Sequence, residues 1–489
     1  MRLSMLLLVL LLSSPCLAQI TVSGDVSGIW GEQDSIYQVV GDVTVPDGQY
    51  LTILPGVEVQ FMGDYKFTVL GGLYAQGTYE DSVKFVSVFG YWPGAWQYIE
   101  FNGVNPGEAV LAYCLIESGE RAVYVENCQV TISNCLIHGH ELSPVKGEDA
   151  QIFLNDCIIT QNGGSGLSLQ NTSATVIDCE ITYHNDLYPS GRGINASGSG
   201  NITVTGGYIG HNEDNGINCY ETSTITLESV EIAENGYDGV SLTNCTMMIA
   251  SRVSIHNNES DGIFISSNAV TSLIAHNLTV SNNGNRGIFG YNSVMQITSS
   301  IMDRNGYYGV YVSSGSAYLS HNDAYLNEDG NYFNCIPGEG SIEEDPLYVS
   351  LSGMDFNLQE GSPCIDAGSP SDPLDPDGTV TDMGAYYYDQ TPVLPRTEPE
   401  TPSQFKIVEL YPNPFNPTLN IAVSAAAPAT GIIEAWTISG RLAARIWQGR
   451  LQPGINKFSW CADSFASGIY YISVRSGGVT DIKPSVLLK

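Results

Sequence analysis

The stretch ENGYDGV, Glu234–Val240, returns in altered form as NNESDGI ending at Ile263, NNGNRGI ending at Ile288 and RNGYYGV ending at Val310. A chain that rewrites one phrase at a near-constant interval is confined to repeat architectures, in which each unit stacks on a relative of itself. The apolar residue that ends the phrase falls at Ile99, Val123, Val145, Leu167, Ile194, Ile217, Val240, Ile263, Ile288 and Val310. The intervals are 24, 22, 22, 27, 23, 23, 23, 25 and 22 residues. Glycine precedes that residue seven times, from Gly166 to Gly309. Runs such as GVSLTNC, GIFISSN and GVYVSSG alternate apolar and polar side chains, the pattern of strands rather than helices. A unit of about 22 residues with two or three short strands cannot enclose its own core. Stacked about 4.8 Å above its predecessor, it can. The expected fold is all-β, a parallel β-helix with coils of about 22–23 residues.

Five residues before the marker position sit Asn162, Asn212, Asn235, Asn258, Asn283 and Asn305. Asparagine tolerates left-handed backbone geometry, and its amide bonds backbone groups or the next amide above. These residues are expected to form a ladder at one turn of the coil, so the repeated phrase is read as structural. A second row, Cys114, Cys135, Cys157 and Cys179, recurs at intervals of 21, 22 and 22. Stacked inward positions bring such cysteines within disulfide range but aim their sulfurs in parallel, which favours a buried thiol stack over pairing. Nothing resembles a CxxC zinc pattern. Cys335 and Cys364, in the irregular region after the coils, are the pair best placed for a disulfide. His138, His184, His211 and His256 recur near turns and read as turn-facing polar residues; no HExxH pattern and no Ser-His-Asp order appears.

The residue after the marker should point outward, and most coils place Ser or Asn there. Three consecutive coils place Phe264, Phe289 and Tyr311, with Tyr291 two residues further along the same face and Tyr220 at the matching offset in an earlier coil. Such rings would form a flat aromatic strip. It either receives a ligand such as the C–H face of a sugar, or is satisfied by stacking or by a covering segment. Two residues before the marker come Asn215, Asp238, Asp261 and Arg286. Carboxylates one coil apart repel and so invite a cation or a raised pKa. Three readings stay open for Asp238, Asp261 and Arg286: a solvated acidic corner with a salt bridge, a calcium site, or a catalytic group. The loop DPLDPDGTVTD sets Asp372, Asp375, Asp377 and Asp382 around Gly378, which suits either a calcium loop or a solvated acidic turn. No cofactor is required by any of these patterns, and calcium is the one metal they suggest.

The chain opens MRLSMLLLVLLLSSPCLAQ, with one early arginine and a short leucine-rich run, the form of a secretory signal peptide over residues 1–18. No later segment is long and apolar enough to be read as a transmembrane helix. Ten cysteines remain after cleavage, in a setting where disulfides are permitted. Between Gln19 and Glu400 there are 9 Lys plus Arg against 48 Asp plus Glu, a balance of −39. From Thr401 onward the count is 8 against 4, a balance of +4. The asymmetry marks a domain change, and the acidic body argues against nucleic acid or an anionic lipid surface as partner. TPVLPRTEPETPSQ, proline-rich and polar, reads as a linker over 391–404. The short strands beyond it, among them ELYPNPFNPTLNIAV, IIEAWTISGRL and SGIYYISV, read as a small β-sandwich over 405–489.

The coils resemble the right-handed parallel β-helix family of secreted bacterial proteins, which holds polysaccharide lyases and hydrolases together with many non-enzymatic surface proteins. VVGDVTVPDGQYLTILPGVEVQF looks like the N-terminal capping coil of that family, and Gly361 to Gln390 looks like its closing segment. On this resemblance residues 19–350 form the β-helix with its cap, and 351–390 close it. YPNPFNP, the SGR hairpin, the SGIYY strand and the basic-apolar end resemble the immunoglobulin-like C-terminal sorting domain of type IX secretion cargo. That resemblance implies export across the outer membrane by the type IX machinery, and a secreted or surface-attached protein. In lyases of this fold calcium neutralises a substrate uronate and a basic side chain removes the proton; the resemblance makes Arg286 a candidate base, although no family motif fixes it there. The expected function is recognition of extracellular polysaccharide or a structural surface role. The alternative is a polysaccharide lyase or glycoside hydrolase acting on the outer face of the β-helix.

Overall fold

The computed structural model describes residues 19–31, 35–185, 191–390 and 406–487, apart from positions 414, 426, 438–441, 464, 477 and 478. The expected signal peptide and linker lie outside the described residues. The chain divides into two compact units, Met1–Gln390 and Thr391–Lys489.

The first unit is a parallel β-solenoid. Each coil contributes three short strands, for example Ile217–Tyr220, Thr224–Glu228 and Glu231–Ala233. Each strand pairs in parallel with its equivalent one coil later: Ile217 with Val240, Ile225 with Met248, Ile232 with Ile255. Burial alternates along each strand, so Val240 and Leu242, Ile263 and Ile265, and Val310 and Val312 all point into one continuous core. All ten marker residues lie in register on one sheet, here called the first sheet. The column runs on past both ends of the pattern, to Phe67 before Ile99 and Tyr332 after Val310. The sequence periodicity missed Phe67 because the step to Ile99 carries the loop around Phe89 and Trp92, both well exposed.

The turn that enters the first sheet explains the repeated phrase. Asn235 Nδ2 donates to Asn258 Oδ1 at 2.9 Å, and Asn258 Nδ2 to Asn283 Oδ1 at 2.9 Å. Asn283 and Asn305 continue the row to Asn327, a rung the marker pattern had not included. Each side-chain oxygen also accepts the backbone N–H one coil below, as Asn258 does from Asn235 at 3.1 Å. The glycine before the marker follows from this. A Cβ on Gly239 would stand 2.7 Å from Gly262 O and 3.0 Å from Asn258 Nδ2. The left-handed residue of the turn is not the ladder asparagine, as the sequence suggested, but the one before it: His211, Glu234, Asn257, Asn282 and Arg304 all have φ near +55°. The ladder asparagines are chosen for their amides.

Two of the four histidines correct the sequence reading. His184 is wholly buried and occupies a rung, its N–H donating to Asn212 Oδ1 at 3.2 Å; burial pushes its imidazole down to about 3. His256 is buried beneath Phe356 and lies 3.0 Å from Glu231. His138 and His211 stay half-buried beside Glu117 and Glu234, each at 3.2 Å. The cysteine row forms the expected thiol stack: all four sulfurs are free and buried, and Cys114 N–H donates to Cys135 Sγ at 3.3 Å. The expected Cys335–Cys364 disulfide is absent. Cys364 turns its thiol to Asp323 Oδ2 at 3.4 Å, and Cys335 directs its own toward Val310 O at 3.8 Å.

After the last coil the chain runs back along the flank of the solenoid. Strands Tyr348–Ser350 and Asp355–Leu358 pair antiparallel. Tyr348, Phe356, Leu358, Cys364 and Met383 form a separate small core with Ile301 of the solenoid. Tyr348 Oη donates to Asp303 Oδ1 at 2.9 Å, and Asn277 Nδ2 to Asp382 O at 2.8 Å. Outward positions on the third strands of these coils are thereby covered, which is why His256 and Asp303 are buried despite pointing away from the core.

The second unit is a β-sandwich of antiparallel sheets with three and four strands. Ile421, Val423, Ile433, Trp460, Ile472 and Val474 fill the space between them. The buried acid Glu434 is held by Arg445 at 2.9 Å and by Arg475. No helix among the described residues is long and apolar enough to cross a membrane.

Candidate functional site

The outer face of the first sheet carries one residue per coil in strict register: Glu100, Tyr124, Lys146, Ser168, Asn195, Asn218, Ser241, Phe264, Phe289, Tyr311 and Phe333. Phe264, Phe289 and Tyr311 are brought together as the sequence implied, and Phe333 extends the column by one coil. Counting one more 22-residue step from Tyr311 would have found it. Ring centroids are 5.1 Å apart for Phe264 and Phe289, 5.6 Å for Phe289 and Tyr311, and 4.2 Å for Tyr311 and Phe333. The outer two pairs are nearly parallel, at 13° and 5°. Parallel rings this close overlap face to face and cannot lie side by side in one plane. The expected flat strip is therefore a ridge: faces turn toward neighbouring coils and edges toward solvent. The Arg286 guanidinium sits 4.0 Å above the Phe289 ring and 5.6 Å from Tyr311, a cation–π contact that occupies further ring surface.

Exposed tyrosines flank this ridge. Tyr291 and Tyr220, 47% and 45% exposed, lie in the neighbouring outward column, three coils apart. Tyr237 and Tyr307 stand exposed at the turn on the other side. None of the four has a ring partner among the described residues. Their rings, unlike those of the ridge, are unstacked and about half exposed.

The row two residues before the marker is a second ladder, not a solvated corner. Asn215, Asp238 and Asp261 are 5%, 2% and 1% exposed. Asn215 Oδ1 accepts the Asp238 N–H at 2.8 Å, Asp238 Oδ1 the Asp261 N–H at 3.0 Å, and Asp261 Oδ1 the Arg286 N–H at 2.8 Å. Arg286 then closes the row with a bidentate pair to Asp261, at 2.9 and 2.8 Å. The salt bridge is thus present, but both carboxylates are buried and already engaged. Turn residues carry no alternation to read, so the sequence could not reveal this burial.

Burial pushes the Asp238 carboxyl up to about 6, with the Asp261 charge adding to the rise and hydrogen bonds from Ser260 and Ser241 opposing it. Asp261 is also raised by burial, with Arg286 pulling the other way. A folded-state carboxyl above its unfolded value adds stability at low pH and removes it as pH climbs through the folded value. For Asp238 that window runs from about 4 to about 6, and a rise of this size costs the folded protein about 3 kcal/mol once the group is ionised. Asp238→Asn should therefore unfold at higher urea than the wild type at pH 8, and match it near pH 4. Asn215 shows that the row accepts an amide, and the two serines can turn to accept its N–H groups. Equal urea midpoints at pH 8 would show that the buried charge carries no such cost.

The acidic loop does not fit calcium. Asp375 Oδ2 accepts the Asp382 N–H at 2.7 Å, and its Oδ1 lies 3.5 Å from Arg252. Asp377 caps Thr379 and the Gln390 N–H; Asp382 accepts from Asp366 and Tyr388 at 2.7 and 2.6 Å. Asp372 binds the hydroxyls of Thr298 and Ser299. These carboxylates staple the closing segment to itself and to the solenoid, with donors on the oxygens a cation would need. Among the described residues no group of three or more His, Cys, Asp or Glu is placed to hold a metal ion.

Residues 145–300 match the family model described as "Right handed beta helix region". No curated protein matches the sequence. Among solved structures, a point mutant of the periplasmic alginate epimerase AlgG is 12% identical, covering 62% of this chain and 77% of its own, with a TM-score of 0.48. The A-module of the Azotobacter vinelandii mannuronan C-5 epimerase AlgE4 is 14% identical, covering 65% and 91%, with a TM-score of 0.37. The enzymatically active domain of bacteriophage CBA120 tailspike protein 2 is 10% identical, covering 91% and 72%, with a TM-score of 0.27. The register of the strands makes the first unit a parallel β-solenoid, and residues 145–300 within it match the model of a right-handed β-helix repeat.

Proposed function

We propose that the protein recognises extracellular polysaccharide without cleaving it, through the first-sheet face from Tyr220 to Phe333. The observation that carries this reading is the aromatic ridge on four consecutive coils, bordered by tyrosines whose rings are exposed and unstacked. An extended polymer laid along the solenoid axis meets a repeating apolar contact, and sugar C–H faces have the unstacked Tyr291 and Tyr220 rings to lie on. The lyase or hydrolase alternative is disfavoured. Asp238 and Asp261 are buried and engaged, and Arg286 is locked between a carboxylate and a ring, so none stands free to move a proton at the surface. A general acid or base must reach the substrate atom it serves.

Tyr291→Ala should weaken retention of the bound polysaccharide in affinity electrophoresis about tenfold while leaving the melting temperature unchanged, since Tyr291 takes no part in the ring stack. The reading fails if that variant and Phe289→Ala both bind as the wild type does, or if wild-type protein shortens the polymer. Secretion, passage through the type IX machinery by way of residues 405–489, and attachment at the outer surface complete the proposal. They rest on the sequence resemblance alone, and cell fractionation with and without that segment is the test. A purely structural surface role is what remains if no glycan is retained.

A further inference from the structure

We propose that the polysaccharide recognised along this face is uncharged; the inference rests on the binding reading above and narrows its substrate class. Five of the basic residues of the acidic body lie on or beside the first sheet: Arg286 within the Tyr220–Phe333 stretch, and Lys66, Arg121, Lys146 and Arg192 in the coils before it, onto which a polymer laid along the axis would continue. A cluster of that kind suggests a track for an anionic polymer until the partners are counted. Lys66 Nζ lies 2.9 Å from Glu100, Lys146 Nζ 2.6 Å from Glu148, and Arg192 Nε 2.9 Å from Asp214. Arg286 is bidentate to Asp261. Arg121 donates to Ser143 O at 2.9 Å, with Glu120 3.9 Å away. Each of these five cations is answered by a carboxylate of the chain or by a carbonyl, within a stretch, residues 19–400, whose formal balance is −39.

Among the described residues of this face, a polyuronate would meet no cation without a partner, and would meet the Glu126 carboxylate, bonded to the Asn102 amide at 2.6 Å. Like charges 4 Å apart repel by about 1 kcal/mol even in bulk water, and the penalty repeats with each uronate along the chain. A sugar hydroxyl meets the same groups on better terms, because it donates to the carboxylate lone pairs the bases leave open and accepts from the remaining N–H groups. The amides of Asn195 and Asn218, bonded to one another at 2.9 Å in the middle of the column, offer the same uncharged donors and acceptors. The unstacked Tyr220 and Tyr291 beyond them suit the C–H faces of neutral sugars. Recognition on this basis is insensitive to salt, since no counterion is released.

The test uses the full chain with galactomannan, xyloglucan and polygalacturonate, at low and high salt and with or without calcium. Wild-type protein should be retained by a neutral polymer equally at both salt levels, and not by polygalacturonate. Glu100→Gln/Glu148→Gln keeps the acceptors for Thr68 and Tyr124 but frees Lys66 and Lys146. This variant should gain at least tenfold in polygalacturonate retention, lost again in high salt. The inference is overturned if wild-type protein prefers polygalacturonate, with or without calcium, or if the double variant gains nothing. Where polygalacturonate is preferred and Tyr291→Ala abolishes the retention, the binding face stands and only its charge class is wrong. Where nothing is retained, or Tyr291→Ala changes nothing, the binding reading itself fails and takes the inference with it.

Discussion

Arg286→Ala should destabilise the first unit by about 3–5 kcal/mol at pH 7, because it strands Asp261, 1% exposed, without its counter-charge. The loss is a property of what remains. Asp261 keeps the backbone N–H of residue 286 but loses both guanidinium bonds, and burial already holds its carboxyl above the ordinary range. Without Arg286 that carboxyl rises further, so the deficit is largest at high pH and shrinks as pH falls through the new folded value toward about 4. Arg286→Ala/Asp261→Asn should recover most of the stability at pH 8, since Asn215 serves the same row with an amide. Urea unfolding at pH 8 and pH 4.5 reads all three proteins. A cost for Arg286→Ala below about 1 kcal/mol at both pH values would mean that the pair is not structural, and would reopen a chemical role for the arginine.

The second large effect is expected at the asparagine ladder. Asn258→Ala removes the acceptor of Asn235 N–H and Nδ2, and the donor to Ile232 O and Asn283 Oδ1, at a position 1% exposed. Each buried group left unpaired costs about 1–3 kcal/mol, so a total of about 4 kcal/mol follows. In a solenoid each coil contacts only its neighbours, so protection from hydrogen exchange should fall first in the coils flanking Asn258 and remain near the N-terminal cap. Asn268→Ala, on an exposed position of the next coil, supplies the control with little change. Uniform loss of protection along the whole unit would contradict a ladder of local contacts.

Sequence and structure part company along physical lines. The alternation after each marker was legible because strand side chains point in and out with period two, and the structure places Val240, Leu242, Ile263 and Ile265 inward accordingly. The outward rings were found by the same rule. What the rule cannot supply is ring orientation. Coil spacing leaves stacked rings close enough to overlap face to face, and this turned an expected platform into a ridge. The rows in turns were visible as rows, yet their burial was not. Asp238 and Asp261 read as solvated because carboxylates usually are, and only the backbone N–H one coil above shows why they are inside.

By itself the sequence determined the repeat, the coil length, the inward and outward faces, the asparagine and cysteine columns, and the change to a separate sandwich near residue 400. These follow from periodicity, which is local and survives in one dimension. The tertiary structure alone decided which polar residues are satisfied. The closing segment folds back to bury His256 and Asp303, its aspartates turn inward to hold backbone N–H groups, and Cys364 faces Asp323 rather than Cys335. Those outcomes depend on contacts between residues tens of positions apart, where charge, desolvation and hydrogen bonding compete within a few ångströms. No spacing along the chain encodes which of them wins.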